Sequence, residues 1–259
     1  MDRLSNAFSA LELDAADDRL EATPSSPLQP QSPSSVAENG HASSGSRSMS
    51  CNGSAHGAAK KNRKERGETE GIPLAEYKLP LVWIDLEMTG LNVDVDRILE
   101  IACIITDGSL VKSIEGPDLV IHQSQDCLDA MGEWCQNHHA TSGLTKKVLH
   151  STVTEAEAEK QVMEFVKENV GNYTPHLAGN SIYMDYLFLK KYMPKLASLF
   201  SHVLVDVSSI KTLCVRWYPR DQKKAPTKEN KHRAMDDIRE SIMELKFYKD
   251  NIFKSPKTR

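Results

Sequence analysis

Two apolar runs rich in β-branched and aromatic residues lie close together in this chain, and they restrict its folding options more than any other feature. "LPLVWIDLEM" covers residues 79–88 and "RILEIACIITD" covers 97–107. Both read as buried strands. A third, "LVIHQ" (119–123), follows the turn-like "EGPD". Short connections join antiparallel neighbours, so these three form a meander. After it the pattern changes. "QDCLDAMGEWCQNHHATSGL" (125–144) reads as a helix stopping at Ser142–Gly143. "TEAEAEKQVMEFVKENV" (154–170) is amphipathic, with Val162, Phe165, Val166 and Val170 on one side. "HLAGNS" (176–181) is a short strand and turn. Residues 184–200 are helical, interrupted near Pro194. A strand over 203–210, a helix through "KTLCVRWY", a Lys-rich loop (219–231) and a last helix (232–248) complete the order, with Met235, Ile238, Ile242 and Leu245 as that helix's core stripe. Three strands followed by alternating helices and strands predict an α/β domain: a mixed sheet flanked by helices.

Composition sets the limits of that domain. "TPSSPLQPQSPSSVAENGHASSGSRSMSCNGS" (23–54) has too few large apolar residues to offset chain entropy. Residues 1–75 are therefore expected to be a disordered Ser/Pro-rich arm, and 76–259 the folded domain. The net charge of −4 gives no support to general nucleic-acid binding, so any such contact must be local. The basic cluster "KKNRKER" (60–66) reads as a solvated linker run, with a nuclear signal or nucleic-acid contact as the alternative. The five cysteines lack metal-ligand spacing and read as reduced thiols of an intracellular protein. No apolar run has the length of a membrane span. The first residues lack the order of a secretory signal and are acidic for an organellar transit peptide.

The chemistry starts from acids in unsuitable places. Asp85 and Glu87 are two positions apart on a strand, so their side chains share a face. Paired carboxylates at the end of a buried strand repel each other and lose hydration. They need basic side chains or a metal ion. Asp185 shares a helical face with Ser181, Phe188, Leu189 and Tyr192; a first-turn acid stabilised by the helix dipole is the plain alternative. Asp237 lies beside the core stripe, between the small Ala234 and Ser241, and an Arg233–Asp237 pair one turn apart is its plain alternative. His232, at the helix start, reads alone as a cap or surface residue. Four carboxylates, Asp85, Glu87, Asp185 and Asp237, form an oxygen-only donor set. That set suits Mg²⁺ or Mn²⁺ rather than zinc. It is too acidic for a single ion and suits a two-metal site of the phosphodiester-cleaving kind.

"WIDLEMTGL" (83–91), "GNSIYMD" (179–185) and "HRAMDDIRESI" (232–242) resemble the three exonuclease motifs of the oligoribonuclease family, DEDDh 3′-to-5′ exonucleases with a ribonuclease H-like fold. "EGPDLVIHQS", "HHATSGL", "KYMPKL" and "DVSSIK" also match, so the resemblance runs from about Leu79 to Phe253. It implies a 3′-to-5′ exoribonuclease acting on short oligoribonucleotides, down to dinucleotides, and releasing nucleoside 5′-monophosphates. It assigns two divalent ions to Asp85, Glu87, Asp185 and Asp237, and the general base to His232, whose pKa lies near working pH. Leu91 matches the position that wedges between bases, Trp134 and His139 resemble pocket-lining positions, and Ser181 and Ser208 resemble hydroxyls that hold the terminal 5′ phosphate. The family is homodimeric. One departure stands out. His202–Val203 replaces the Tyr-Arg pair of many members. Val203 has no donor for a phosphate, whereas His202 is able to replace the tyrosine in part. That departure keeps a second expectation open, a related exonuclease trimming longer RNA or single-stranded DNA. A catalytically silent binding module would show a lost acid or a lost His232, and neither is lost. Localisation is expected in the cytoplasm or mitochondrion, with the nucleus left open by the basic cluster.

Overall fold

The computed structural model describes residues 77–227 and 233–253. The expected arm (1–75), its basic cluster and His232 lie outside the described residues. Five strands form one sheet: β1 (Leu81–Met88), β2 (Ile98–Thr106), β3 (Ser113–Val120), β4 (His176–Gly179) and β5 (Leu204–Asp206). Their order is β3-β2-β1-β4-β5. The pairs β1–β2 and β2–β3 are antiparallel, whereas β1–β4 and β4–β5 are parallel. The mixed sheet predicted from the sequence is therefore present, with the meander on one side of β1 and the crossover strands on the other.

Strand alternation sorts the core onto two faces. Val82, Ile84 and Leu86 of β1 enter one apolar cluster, together with Val162 and Val166 of α4 (Glu155–Val170) and Phe188 and Leu189 of α5 (Tyr183–Tyr192). Trp83 faces the other way, into a cluster with Val207 and Cys214 of α7 (Val207–Trp217) and Ala234, Ile238 and Leu245 of α9 (Ala234–Asn251). Each of these burials is worth about 1.5–3 kcal/mol for a large aliphatic or aromatic side chain.

Three local expectations needed revision. The "EGPD" stretch is not a turn: β3 runs through it. As an edge strand β3 tolerates Pro117, which has no N–H to give a ladder. Gly116 is required there because a Cβ would meet the Phe165 ring of α4 at 2.3 Å. The expected helix over 125–144 is two, α1 (Gln125–Asp129) and α2 (Glu133–Thr141), followed by α3 (Leu144–His150). Gly132 is extended at the break, and the Gln136 amide donates to the carbonyls of Asp129 and Met131 there. The stop at Ser142–Gly143 is as expected, with Gly143 left-handed at φ 74°. Finally, the strand over 203–210 ends at Asp206. That side chain accepts the N–H of Ser208 at 3.0 Å and caps α7, so helix begins at Val207.

The interruption at Pro194 separates α5 from the short α6 (Pro194–Ala197), which precedes α7 and α8 (Pro219–Gln222). It is held from a distance. Buried Glu159 of α4 accepts the N–H groups of Lys195 at 2.7 Å and Leu196 at 3.2 Å. Glu159→Ala strands both donors and should cost about 1–3 kcal/mol in chemical denaturation, with Glu159→Gln recovering much of it. An unchanged denaturation midpoint for the alanine variant would remove this account of the break.

Candidate active site

Asp85 and Glu87 project from β1 on the Trp83 face, toward α9. Ala234 and Ser241, both buried, let that helix approach the strand closely. Asp237 lies between them in the first turn, its N–H bonded to the Arg233 carbonyl at 3.0 Å. One carboxylate oxygen from each of Asp85, Glu87 and Asp237 falls within 4.8 Å of the others. The sequence separation of 150 residues between these acids closes to one cluster because β1 and α9 share a core.

Asp185 reaches the same place from the opposite face. β1 and β4 pair only as far as Trp83–Ala178 and then part. Past that fork the N–H of Leu86 has no strand acceptor on the β4 side. Asp185, at the start of α5, fills the gap: its Oδ1 accepts that N–H at 3.0 Å. It is not a solvated helix-dipole acid but a buried one, tied to the backbone between Asp85 and Glu87. It stands apart from the close trio, yet its charge is among those that raise the pKa of Glu87.

The electrostatics match a cation site. Glu87 is pushed up to about 8, first by burial and then by Asp237, Glu100 and Asp185. Asp185 is pushed up to about 7 by burial, with the Leu86 N–H working the other way. Carboxyls this reluctant to ionise mark a place built for added positive charge. The donor set is all oxygen, which fits hard divalent cations. Arg233 is not the simple partner of Asp237 expected from helical spacing: its guanidinium grips Glu100 on β2. Sequence reasoning passed over Glu100. Its signal was an acid in the middle of the otherwise apolar "RILEIACIITD".

The remaining residues surround this centre. Leu91 is half-buried in the loop after β1. Asp96 buckles that loop, accepting the Thr89 hydroxyl and the Asn92 N–H, both at 2.8 Å. Gly90 is needed because a Cβ would sit 2.5 Å from the Asp96 carboxylate. Trp134 of α2 is half-buried and stacks on His138 at 3.8 Å between ring centroids. His139, buried, pairs its Nε2 with the Met88 carbonyl at 2.9 Å, so that nitrogen carries the proton. Its Nδ1 stands 3.9 Å from Glu87, and burial lowers its pKa, so the two form no ion pair at neutral pH. Ser181 and Ser208 meet at the ends of β4 and β5, hydroxyls 3.3 Å apart, and the N–H groups of both donate to Asp206. Ser181 is left-handed at φ 49°. His202 and Val203 are exposed on the approach to β5.

Residues 82–245 match the family model described as "Exonuclease". The oligoribonuclease of Arabidopsis thaliana is 66% identical over 193 residues, 74% of this chain and 87% of that protein. The chain belongs to the oligoribonuclease family. Other oligoribonucleases extend the likeness: a human protein named as mitochondrial is 49% identical over 67% of this chain and 73% of its own length, and one from Marinobacter nauticus is 49% identical over 67% and 96%. Among solved structures, an exonuclease I superimposes with a TM-score of 0.53 at 15% identity, covering 68% of this chain; this chain spans 42% of the length of that protein. That likeness shows the fold alone. Oligoribonuclease membership makes the chain a 3′-to-5′ exoribonuclease with a nucleic-acid substrate, and its acidic cluster is of the kind that uses divalent metal. Among the described residues no helix is long and apolar enough to cross a membrane.

Proposed function

We propose that this oligoribonuclease hydrolyses short oligoribonucleotides from the 3′ end, down to dinucleotides, and releases nucleoside 5′-monophosphates. The observation that carries the reading is the convergence of Asp85, Glu87 and Asp237, with Asp185 locked to the backbone between the first two. These four would hold two Mg²⁺ or Mn²⁺ ions. Bound there, such ions lower the pKa of an attacking water and neutralise charge on the phosphate and the leaving 3′ oxygen. The chain's own residues do the positioning. Asp185 is fixed by the Leu86 N–H and Asp237 by its helix, so the donors need little rearrangement. His232, one residue before the Arg233 cap, takes the water's proton at a ring nitrogen. Leu91 separates the two bases, Trp134 and His139 line the pocket, and Ser181 and Ser208 receive the 5′ phosphate.

His232→Ala should keep metal affinity and lose about 10²–10⁴ in rate, the usual worth of a general base. Mn²⁺ calorimetry and single-turnover rates check both halves, and an unchanged rate would exclude the base role.

Val203 motivates the decisive experiment, an RNA length series with Mg²⁺ or Mn²⁺ present and absent. The rate should be highest for the shortest substrates and vanish without metal. A rate that holds or rises with length would favour trimming of longer RNA or single-stranded DNA. A dinucleotide tested with and without its 5′ phosphate reports on Ser181 and Ser208.

The working form is a homodimer in this reading, His202 reaching the partner's site. Leu213 and Trp217, exposed one turn apart on α7, supply an apolar face for association. The cytoplasm or mitochondrion is the proposed compartment, supported by the mitochondrial name of the human relative.

A further inference from the structure

Glu100 is an acid that the proposed ligand set does not use. It stands on β2 directly across from Glu87 and is fully buried. Like charges in one cross-strand pair repel, and a buried carboxylate without a cation is costly. Arg233 answers both problems. Its Nε donates to the two Glu100 oxygens at 3.2 and 3.1 Å, and its Nη2 donates to Oε1 at 2.5 Å. Asp118 on β3 adds its charge to the same guanidinium.

Arg233 is also the N-cap residue of α9, and its carbonyl accepts the Asp237 N–H. It therefore lies in the field of two groups of anions. It grips Glu100 and feels Asp118, and its charge is also felt at Glu87 of the acid cluster. A guanidinium is permanently charged and matches carboxylates bidentately. Without Glu100, the guanidinium would be released to the acids of the site, with Asp118 as the one rival acceptor outside it. A divalent cation would then have to displace a resident arginine.

We propose that Glu100 is a positioning residue: by holding Arg233 against β2, it keeps that guanidinium from becoming the counter-ion of Asp85, Glu87 and Asp237 in place of divalent cations. This rests on the metal-binding role assigned to those acids above. It gives Glu100 a function that touches neither substrate nor metal.

The test is calorimetric titration of the full chain with Mn²⁺ alone, which does not depend on turnover. Glu100→Gln keeps the side-chain volume and frees Arg233. Its Mn²⁺ affinity should fall about tenfold, the scale of one charge-assisted hydrogen bond. Adding Arg233→Met removes the competitor, and the double variant should return to within about threefold of wild type. A purely structural Glu100 would give the opposite order, with the double variant at least as weak as the single one, and that result overturns the proposal. Wild type that binds Mn²⁺ alongside an indistinguishable Glu100→Gln overturns it as well, while leaving the metal site intact. Wild type that fails to bind Mn²⁺ removes the metal site and the proposal together. Should Glu100→Gln alone fail to fold, the double variant still decides, because replacing both members of a buried pair is tolerated far better than removing one. Its Mn²⁺ binding near wild type supports the proposal, and its loss of binding refutes it.

Discussion

Asp237→Ala should give a folded protein with hydrolysis reduced by at least about a thousandfold, and Asp85→Ala should do the same. The fold does not depend on either carboxylate. Helix α9 is docked by Met235, Ile238, Leu245 and Tyr248, all buried, and β1 by Val82, Trp83, Ile84 and Leu86. The acids instead burden the metal-free protein, since Asp237 is the leading charge that pushes up the pKa of Glu87. The melting temperature of metal-free Asp237→Ala should therefore equal or exceed that of wild type. A cooperative melt, a lost Mn²⁺ isotherm and a lost rate would together place the aspartate in the chemistry. Activity within about tenfold of wild type would withdraw the site.

The second large effect is a dependence of stability on pH that reverses with metal. Glu87, near 4.5 in the unfolded chain, sits at about 8 in the folded one, and Asp185, near 3.8, sits at about 7. Both shifts are upward, so between the two values the folded state holds protons that the unfolded state has released. Their contribution is full below about pH 4, falls as pH rises between the unfolded and the folded values, and is gone above about 8. Metal-free protein should accordingly melt several degrees lower at about pH 8.5 than at about pH 6. Mn²⁺ binds the deprotonated carboxylates and releases their protons, so it should raise the melting temperature most at the alkaline end. Glu87→Gln, which cannot ionise, should flatten the metal-free profile. A wild-type melting temperature that climbs across this interval without metal would contradict the burial of these acids.

Much of this was legible in the residues. Asp85 and Glu87 were visible because strand period and apolar flanks leave them no comfortable solvent face. Asp237 was visible only as an oddity between Ala234 and Ser241, and its spacing from Arg233 suggested a helix pair. The structure gives Arg233 to Glu100 instead, since a fully buried carboxylate on β2 holds a guanidinium more strongly than a partly exposed one a turn away. Nothing local in the sequence encodes that choice; it depends on β2 lying beneath the start of α9. Asp185 was ambiguous for a similar reason. Its partner is a backbone N–H that needs a strand only because β1 and β4 diverge, and sheet divergence has no sequence period. The two misplaced strand boundaries have different causes. Gly116–Pro117 carries turn-forming composition that an edge strand absorbs, whereas the strand expected over 203–210 stops early because Asp206 caps α7.

The fork between β1 and β4 also bears on how the chain acquires its activity during synthesis. Donors on β1, α5 and α9 come from widely separated parts of the sequence, and the last of them arrives with the final helix. A nascent chain that has completed the sheet and α5 already exposes three acids, but it lacks the fourth and the arginine that answers Glu100. With the proposed ligand set, cleavage of RNA would wait until α9 has left the ribosome and docked on the sheet.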